Sequence, residues 1–487
     1  RAVSDSFAYK ISAGYFNSDA FSRPTGQIPL IDDPREAGKK VGGAYYPLDS
    51  ATGAFGTRFE NSGTRQPKID FRLDQEFKNG GRMTYGAGVA GTEGIVHTGI
   101  GPFDIQSGSY MYYGKLNYSK GALKVNLFAN LLDVKAPNLL LPDPNTGQGV
   151  QLDFKTQTFD FEFGHSRVFA GKHVVSYGGN ARRNNFDITL TPQSKDRTEL
   201  GLYLQDEFFL EKFRFTVGGR VDKFGNIEDP VFSPRITAMY KPAPSQSIRV
   251  SYNKAFRSPS TVNNYLYQAI VTPQDISSLG PLLPPPLAPL VAQPFPLVVY
   301  ATGNENLKEE SLTAYEIGYT GTFNGKTTVG AAFYINDTDD NINFTALPNN
   351  FDPYTPTNAP PGWNQRFAPG GPTLGPTILA VMASRGIYLP RTAFTYKNLG
   401  PTRNKGVELS VEHSFTNEVS GFANYSYQGK PKVLDARSDQ EPYPPNELAF
   451  PPENRFNLGL SYNGKRFLGN VTLNHSDQAF WSDVLTR

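Results

Sequence analysis

Guanidinium, amide and aromatic side chains gather around one alternating segment and the stretch that follows it. Arg249, Ser251 and Asn253 fall on one face of an extended chain that ends at Phe256 and Arg257. Aromatic rings beside a guanidinium suit an anionic, ring-bearing ligand. The candidate ligand contacts are Arg249, Asn253, Phe256, Arg257, Asn263, Asn264, Tyr265 and Tyr267.

Catalytic chemistry has little support in the sequence. The chain contains no cysteine, which excludes a disulfide framework, a thiolate metal site and a cysteine nucleophile. The five histidines are scattered along the chain, and none has the Ser or Asp context of a catalytic group: His97, His165, His173, His413 and His475. His165 and His173 flank one short turn, where imidazoles usually meet solvent. We predict that the chain is not an enzyme and holds neither a metal nor a cofactor.

Two motif matches favour structural interpretations. Residues 86–91 read GAGVAG and satisfy the dinucleotide pattern, but they lie within an alternating segment and open no helix. Residues 337–343 read DTDDNIN and resemble the start of a calcium loop. Ile342 stands where that loop needs Gly, however, and Pro348 where it needs a bidentate Glu. We interpret the first segment as a strand and the second as a solvated rim.

The elements that must position these residues are strands with one apolar face. Ile69, Phe71, Leu73 and Phe77 alternate with ionic residues. Residues 407–415 and 456–462 repeat the pattern. Each segment has about the ten residues that a tilted strand needs to cross hydrocarbon.

The connections between these strands alternate between short and long. Eight short turns define eight hairpins: Lys78 to Gly81, Ser119 to Gly121, Gly171, Glu211-Lys212, Pro242 to Gln246, Asn324-Gly325, Thr416-Asn417 and Asn463-Gly464. Long stretches rich in Pro, Asn and Gly, such as Ser258 to Glu310, Asp339 to Thr402 and Gly429 to Glu453, are predicted to be loops that cannot continue a ladder. With one strand from Phe7 to Phe16, the sequence predicts about seventeen strands. Such alternation is typical of an all-β, transmembrane antiparallel β-barrel with short periplasmic turns and long extracellular loops.

Composition agrees with a barrel in an outer membrane. The mean hydropathy is −0.43, and the apolar stretch near Leu282 to Tyr300 contains six prolines, so no segment qualifies as a membrane-spanning helix. Aromatic residues make up 13% of the chain and are expected to form girdles at the membrane interfaces. The net charge of +2, with Lys and Arg scattered, predicts no nucleic-acid partner. The expected partner is outer-membrane lipid.

Three ordered signatures resemble those of TonB-dependent outer-membrane receptors. Residues 249–260 read RVSYNKAFRSPS, residues 303–319 read GNENLKEESLTAYEIGY, and residues 404–409 read NKGVEL. The hairpin at 200–224 and the segment ending at 480–484 are also similar to that family. The resemblance covers most of the chain from about Asp196 onward, and more loosely the part before it.

The resemblance implies a barrel of about 22 strands whose lumen holds an N-terminal plug. We therefore expect residues 1–487 to be an incomplete TonB-dependent receptor-like β-barrel domain, without a plug and truncated at both ends. The implied function is energised uptake, in a Gram-negative bacterium, of a scarce ligand such as a ferric siderophore, cobalamin or a carbohydrate. The implied link to the TonB complex runs through the plug.

Alternatives stay open at the level of the sequence. The barrel is alternatively a passive porin-like channel or a surface-binding barrel. Arg257 alternatively pairs with an acidic wall residue, with the tyrosines in the interfacial girdle. Ile378, Val381, Met382 and Arg385 have helical spacing, which favours either a short lid helix or simple loop packing.

Overall fold

The computed structural model describes residues 1–19, 63–98, 101–138, 152–225 and 227–480. Most of these residues lie in strands, in the following order along the chain. The strands are β1 (Ala2–Ser4), β2 (Phe7–Ser18), β3 (Thr64–Glu76), β4 (Arg82–Gly91), β5 (Gly94–Thr98), β6 (Gly101–Ile105), β7 (Tyr110–Lys120), β8 (Leu123–Lys135), β9 (Asp153–Phe169), β10 (His173–Ile188), β11 (Arg197–Leu210), β12 (Phe213–Phe224), β13 (Val231–Tyr240), β14 (Gln246–Arg257), β15 (Tyr267–Gln274), β16 (Phe295–Thr302), β17 (Glu310–Phe323), β18 (Thr327–Asp339), β19 (Asn341–Ala346), β20 (Thr392–Leu399), β21 (Thr402–Ser414), β22 (Val419–Gln428), β23 (Lys432–Val433), β24 (Asn454–Asn463) and β25 (Leu468–Ser476).

Helices are short and lie in the long connections. They are α1 (Thr261–Tyr265), α2 (Trp363–Phe367) and α3 (Leu374–Ser384), with 3₁₀ turns at Ser277–Leu282, Pro285–Val291, Ala368–Gly370 and Pro445–Glu447. Across the described ranges, no helix has the length and apolar character that crossing a bilayer would require.

One antiparallel sheet, which we call the wall, contains nineteen of the strands described. Neighbours pair in the order β1, β2, β3, β4, β7, β8, β9, β10, β11, β12, β13, β14, β17, β18, β21, β22, β24 and β25, with β23 beside the end of β21. Apart from the short β1 and β23, seventeen strands remain, so the predicted strand count and all-β class are confirmed. In the described part of the chain no pairing joins β25 to β1.

All eight predicted hairpins are present in the wall. Each short turn joins two strands that are hydrogen-bonded neighbours. Asn324 and Gly325 have φ of +52° and +64°, and Ala170 and Gly171 have φ of +49° and +67°. Positive φ at both central residues is the conformation of the type I′ turn, whose twist matches that of the flanking hairpin strands.

The wall has one apolar and one polar face. Directly paired residues of neighbouring strands lie on the same face of the sheet. Leu202 of β11 is paired with Val221 of β12, and Val250 of β14 with Ile317 of β17, so these apolar residues share one face. These apolar side chains are exposed: Leu200 by 52%, Leu202 by 66% and Leu204 by 60%. An apolar surface this extensive indicates contact with a second apolar phase.

Two long connections pair with each other instead of forming simple loops. β15, β16, β20 and β19 make a separate four-stranded sheet, in which β16 and β20 run parallel. The prediction that prolines exclude a ladder from these stretches was wrong. Pro273 of β15 lies directly opposite Pro296 of β16, so both missing N–H groups fall at one step of the ladder.

We call this small sheet, together with α2 and α3, the loop module. Its hydrophobic core includes Trp363 and Phe367, both fully buried, and the Phe295 ring packs edge-on against Trp363 with centroids 4.9 Å apart. Ile378 and Met382 of α3 are buried in the same core. The predicted helical spacing therefore forms a helix, α3, and the helix packs into the loop core as the second interpretation expects; its role as a lid stays a prediction.

The long connection at 429–453, between β22 and β24, closes over the small sheet. Glu447 is buried and accepts hydrogen bonds from Asn343 Nδ2 at 2.9 Å and Thr345 Oγ1 at 3.1 Å. Lys397 of β20 forms an ion pair with Glu441 at 2.7 Å. Three long connections thus pack into one body at the same end of the wall. The other predicted segments, most of 17–63 and the end of the chain at 481–484, lie outside the described residues.

Candidate ligand-binding site

The polar face of the wall carries arginines held by carboxylates on the same face. Arg249 of β14 donates from Nε and Nη2 to Glu316 Oε1 on β17, at 3.0 and 2.6 Å. Arg182 pairs with Asp160 at 2.7 Å on the neighbouring β9. Such pairing keeps a densely charged surface close to neutral, and its guanidinium groups hold fixed orientations.

Arg257 ends β14 and joins the wall to the loop module. Its Nε donates to Glu310 Oε1 at 3.1 Å and its Nη2 to Glu310 Oε2 at 2.7 Å. The same Nη2 donates to the carbonyl of Ile342 in β19 at 3.0 Å, and the Ile342 amide donates to Glu310 Oε2 at 2.9 Å. Arg257 therefore makes the acidic wall contact that the second sequence interpretation expects, and its side chain is still half exposed.

Asn263 and Asn264 lie in α1, which follows β14 directly. The helix is held by a capping box, in which the Ser260 hydroxyl accepts from the Asn263 amide at 3.1 Å and Asn263 Oδ1 accepts from the Ser260 amide at 2.8 Å. Asn264 is buried, and its Nδ2 donates to the carbonyl of Asn304 at 2.9 Å. These amides therefore shape the start of the connection.

The two candidate tyrosines differ in exposure. Tyr265 is buried, with Lys195 Nζ 5.8 Å from its ring centroid, and burial raises the pKa of its hydroxyl. Tyr267 is 54% exposed, and its ring stacks on Tyr300 with centroids 5.1 Å apart. Tyr267 is thus the candidate ring with a free face for a ligand.

Phe256 packs at the long-connection end of the wall. Its ring meets Phe224 at a centroid distance of 5.0 Å, beside the buried Ile227 and Val231. This contact anchors the end of β14 to the connection between β12 and β13.

The eight candidate residues divide into two groups. Arg249 lies on the polar face near the short-turn end of β14 and Asn253 lies midway between Arg249 and Arg257, while Phe256, Arg257, Asn263, Asn264, Tyr265 and Tyr267 lie at the other end. Eight residues of strand separate Arg249 from Arg257, which is about 27 Å at ~3.4 Å per residue. The structure therefore does not bring the candidates into one site.

Sequence reasoning missed Glu310 and Tyr396, which contact Arg257 and Asn263. Burial of Tyr396 in β20 raises the pKa of its hydroxyl, and its hydrogen bond with the Asn263 side chain and the charge of Arg257 partly oppose that rise. Glu310 is the last residue of the GNENLKEE signature at 303–310. An acidic residue in this signature could have been predicted to pair with Arg257, the basic residue at the end of the preceding wall strand. Nothing local in the sequence pairs Tyr396 with Asn263, because 133 positions separate them.

The remaining motif residues have structural partners. Residues 86–91 lie in β4, which confirms the strand interpretation of the GAGVAG match. In the calcium-like segment, Asp337 pairs with Arg403 and Asp339 with Arg437. No group of three or more His, Cys, Asp or Glu side chains is arranged to hold a metal ion within the described ranges.

The two histidines around the Gly171 turn have separate partners. His165 Nδ1 lies 3.0 Å from the Tyr177 hydroxyl, and His173 Nδ1 lies 2.7 Å from Asp206 Oδ2. Neither is joined to a serine nucleophile by a bond, so the arrangement offers no catalytic triad among these groups.

Comparison with known proteins gives one family for nearly the whole chain. The family model described as TonB dependent receptor-like, beta-barrel matches residues 8–486. A search of curated protein sequences returns no match.

Solved structures of iron-uptake proteins share the fold. A mutant of the ferric enterobactin receptor PfeA of Pseudomonas aeruginosa superposes with a TM-score of 0.62 at 12% identity, over 97% of this chain and 63% of that one. The FrpB iron transporter of Neisseria meningitidis (F5-1 variant) gives 0.58 at 15%, over 97% and 66%. The siderophore receptor PirA of Pseudomonas aeruginosa gives 0.56 at 14%, over 86% and 63%. The chain thus spans less than two thirds of the PirA and PfeA chains, and the likeness establishes the fold.

Proposed function

The chain belongs to the TonB-dependent receptor-like β-barrel family, and from this premise we propose that it serves as an outer-membrane receptor for a scarce ligand. Its polar face then lines the lumen and its apolar face contacts lipid in a Gram-negative outer membrane. Transport is energised by the TonB complex, which members of this family engage through a plug domain. The ligand class is a ferric siderophore, with cobalamin and carbohydrate as the other candidates.

The single observation that carries this proposal is the two-faced wall. Seventeen antiparallel strands expose leucine, valine and phenylalanine on one face and ion-paired polar residues on the other. Lipid requires the first surface and a solute path requires the second. Siderophore receptors among the structures of similar fold support the choice of ligand class.

Ligand capture belongs at the end of the wall where the long connections meet. Arg257 is half exposed and held by Glu310, Tyr267 offers a free ring face, and Asn263 fixes the start of the connection. A guanidinium and an aromatic ring together suit an anionic ligand that contains rings, such as a catecholate chelate. These three side chains are the proposed contacts, while Asn264 and Tyr265 support them from below the surface.

The test is ligand-dependent growth of the host organism under iron limitation. The gene is deleted, then restored as native, Tyr267→Ala or Tyr85→Ala, and growth is measured on a panel of ferric siderophores, cobalamin and oligosaccharides. Tyr85 is a matched control because it is also exposed, at 40%, on the apolar face. We expect the deletion to abolish growth on one chelate, native and Tyr85→Ala to restore it, and Tyr267→Ala to restore it poorly.

Two results would contradict the proposal. Unchanged growth of the deletion strain on every ligand would remove the receptor role. Entry of small solutes in proportion to concentration, with no saturable ligand, would identify a passive channel instead.

A further inference from the structure

The apolar face of the wall gives way to charged residues at the long-connection end of four adjacent strands, β14, β17, β18 and β21. Directly paired residues form rows across these strands, and the first row is wholly apolar: Val250, Ile317, Phe333 and Val407. The next row toward the long connections contains Tyr252, Tyr315, Ile335 and Lys405. The row beyond it contains Lys254, Thr313, Asp337 and Arg403. Because rows on one face are two residues apart, the change from apolar to charged takes about 14 Å.

We call the three cations of these rows, Lys254, Arg403 and Lys405, the basic rim. Arg403 and Lys405 are exposed, and Lys254 is half-buried. The rim lies beside an aromatic pair, since the rings of Tyr252 and Tyr315 meet at a centroid distance of 5.4 Å. Tyrosine rings between an apolar band and a charged row are typical of the headgroup region of a membrane. On a wall that spans a bilayer, the basic rim therefore lies at the level of the lipid headgroups.

Positive charge is in excess at the basic rim. Asp337 is the one acidic residue of these three rows, and it accepts from Arg403 Nε at 2.6 Å and from Arg403 Nη2 at 2.7 Å. Asp339, one row further on the same face, is held by Arg437. Three cations against one carboxylate leave two positive charges on the lysines of the rim, which form no ion pair with the described side chains.

Cations at the same end of β9 and β10 have their own carboxylates. Arg183 forms an ion pair with Asp196 at 2.9 Å, and Lys155 lies 3.9 Å from Asp133. The long-connection end of this face is therefore not uniformly basic, and the excess belongs to the strands from β14 to β21.

The position of the basic rim separates it from the lumen. Its residues lie on the face opposite to Arg249 and Glu316, which is the face that the proposed function places in the lumen beside a plug. Its four strands are flanked in the sheet by β13 and β22, so further wall strands would join at the edges of the sheet instead. Neither a plug nor additional strands would cover this surface.

We propose that the basic rim binds the two phosphate groups of a diphosphorylated glycolipid in the outer leaflet of the membrane. The strand that carries Lys254 is three strand spacings, about 14 Å, from the strand that carries Arg403 and Lys405, so each end of the rim binds one phosphate of the same headgroup. The guanidinium, held in place by Asp337, presents its remaining N–H groups to phosphate, and the ammonium groups act as point charges. The acyl chains lie against the apolar row. The inference goes beyond ligand uptake and rests on the proposed function only for the membrane and the orientation of the wall in it.

Binding is tested on the purified full chain in a neutral detergent, by titration with lipid and native mass spectrometry. The probe is diphosphoryl lipid A, compared with monophosphoryl lipid A and phosphatidylglycerol. The variant Lys254→Gln/Lys405→Gln removes both uncompensated charges, and Lys254→Arg/Lys405→Arg keeps them. Lys120→Gln/Arg167→Gln is the matched control, because it removes two exposed cations from the same face at the short-turn end.

We expect native protein to bind diphosphoryl lipid A more tightly than either lipid with a single phosphate. The double Gln variant of the rim should weaken this binding about 25-fold, because each cation near an anionic lipid surface contributes about fivefold. The double Arg variant and the control should bind diphosphoryl lipid A like native protein. Added salt should weaken the binding.

Four outcomes would overturn the inference: no binding of diphosphoryl lipid A to native protein, equal binding of all three lipids, unchanged binding in the double Gln variant, or an equal loss in the control. The strand signal in circular dichroism must be the same for all variants, which separates lost binding from lost folding. The growth test with Tyr267→Ala does not involve the basic rim. A failed growth test with lipid binding intact would therefore count against the receptor proposal alone.

Discussion

At the scale of single residues, Glu310 is one of the links between the wall and the loop module. It accepts both from Arg257 and from the amide of Ile342 in β19. We predict that Glu310→Ala speeds hydrogen exchange at the Ile342 amide about tenfold, because a charge-assisted bond worth ~1.5 kcal/mol is lost. Mass spectrometry of the peptide that contains Ile342 measures this.

The matched control for that variant is Glu418→Ala. Glu418 lies in a short turn, and within the described ranges its carboxylate has neither an ion pair nor a hydrogen bond. Exchange at Ile342 should stay at the native rate there. An unchanged rate in Glu310→Ala would show that Arg257 and Glu310 do not restrain the loop module.

Asp352 gives the loop module a pH dependence. Partial burial raises the pKa of the Asp352 carboxyl. Hydrogen bonds from Thr392 at 2.6 Å and Arg391 at 2.7 Å lower that pKa by more, so the net pKa lies below the ordinary 3.8. A carboxylate with a lowered folded pKa stabilises the fold above its unfolded pKa, and this stabilisation is lost as pH falls through the folded value. We predict that the loop module loses stability below about pH 4.

The measurement is urea unfolding followed by Trp363 fluorescence at about pH 5 and about pH 3. The chain has two tryptophans, so Trp481→Phe leaves Trp363 as the only reporter. Asp352→Asn should be less stable at the higher pH and should lose part of the acid dependence. Asp229→Asn, at an exposed aspartate without a described partner, should behave like native protein. If native protein, Asp352→Asn and Asp229→Asn all lost the same stability between the two pH values, the role of Asp352 would be refuted.

Residue roles were the least predictable part from sequence. The chemical types were suggestive, and Arg257 and Tyr267 are indeed accessible. Asn264 and Tyr265 are buried in contacts with residues 40 positions away, such as Asn304 and Glu305. Local sequence carries no signal for such contacts, so it did not separate ligand-facing side chains from supporting ones.

At the scale of elements, α3 illustrates how the loop module is held. Leu374, Ile378, Leu379 and Met382 repeat at helical spacing, and Gly386, with φ of +73°, follows the helix end. Leu379 is 4% exposed in the core around Trp363. We predict that Leu379→Ala destabilises the loop module by about 2–5 kcal/mol, through lost burial and a residual cavity.

Trp363 fluorescence in the Trp481→Phe background reports unfolding of the module, and circular dichroism reports the wall. Ala380→Ser changes the next, exposed position and should have almost no effect. If Leu379→Ala lowered the stability of the wall and of the loop module equally, the two would unfold as one cooperative unit. That result would contradict the prediction that the core around Trp363 stabilises the loop module separately.

The hairpin turns make a second prediction at this scale. Gly325 has φ of +64°, where a side chain meets steric strain, so Gly325→Ala should lower stability by about 1–2 kcal/mol. Gly114 of β7 has no positive φ and open space where a Cβ would lie, so Gly114→Ala is the control and should be neutral or slightly stabilising. The denaturant midpoints of the two variants and of native protein, measured in the same detergent, give the loss of stability in each variant. A larger loss of stability in Gly114→Ala than in Gly325→Ala would contradict the prediction.

Wall elements were predictable because their signals are local. Period-two alternation and short turn sequences located seventeen strands and eight hairpins. The loop module was not predictable in the same way. Its sheet pairs β16 with β20 across some 90 residues, and its core joins Phe295 to Trp363, so no window of sequence contains either contact.

At the scale of the whole molecule, the described strands of the wall bury only small apolar clusters, such as Phe224, Val231 and Phe256 at the long-connection end. Its exposed leucine, valine and phenylalanine side chains lie mostly on one face, and ion pairs such as Arg182–Asp160 and Arg249–Glu316 lie on the other. In water such a sheet would expose a continuous apolar surface and associate or aggregate. Stability of the wall therefore depends on the phase that covers the apolar face, and the proposed membrane location follows from this requirement.

Adjacent alanines on β18 test that dependence directly, because they lie on opposite faces. Ala331 is paired with Leu409 on the apolar face, and Ala332 is paired with Glu408 on the polar face. In lipid bilayers Ala331→Arg should lose about 2–4 kcal/mol of stability, the usual penalty for a cation among acyl chains. Ala332→Arg introduces the same side chain one position away, beside a carboxylate, and should lose much less. Urea unfolding in liposomes measures the difference; equal losses, or a larger loss for Ala332→Arg, would mean that the apolar face does not meet lipid.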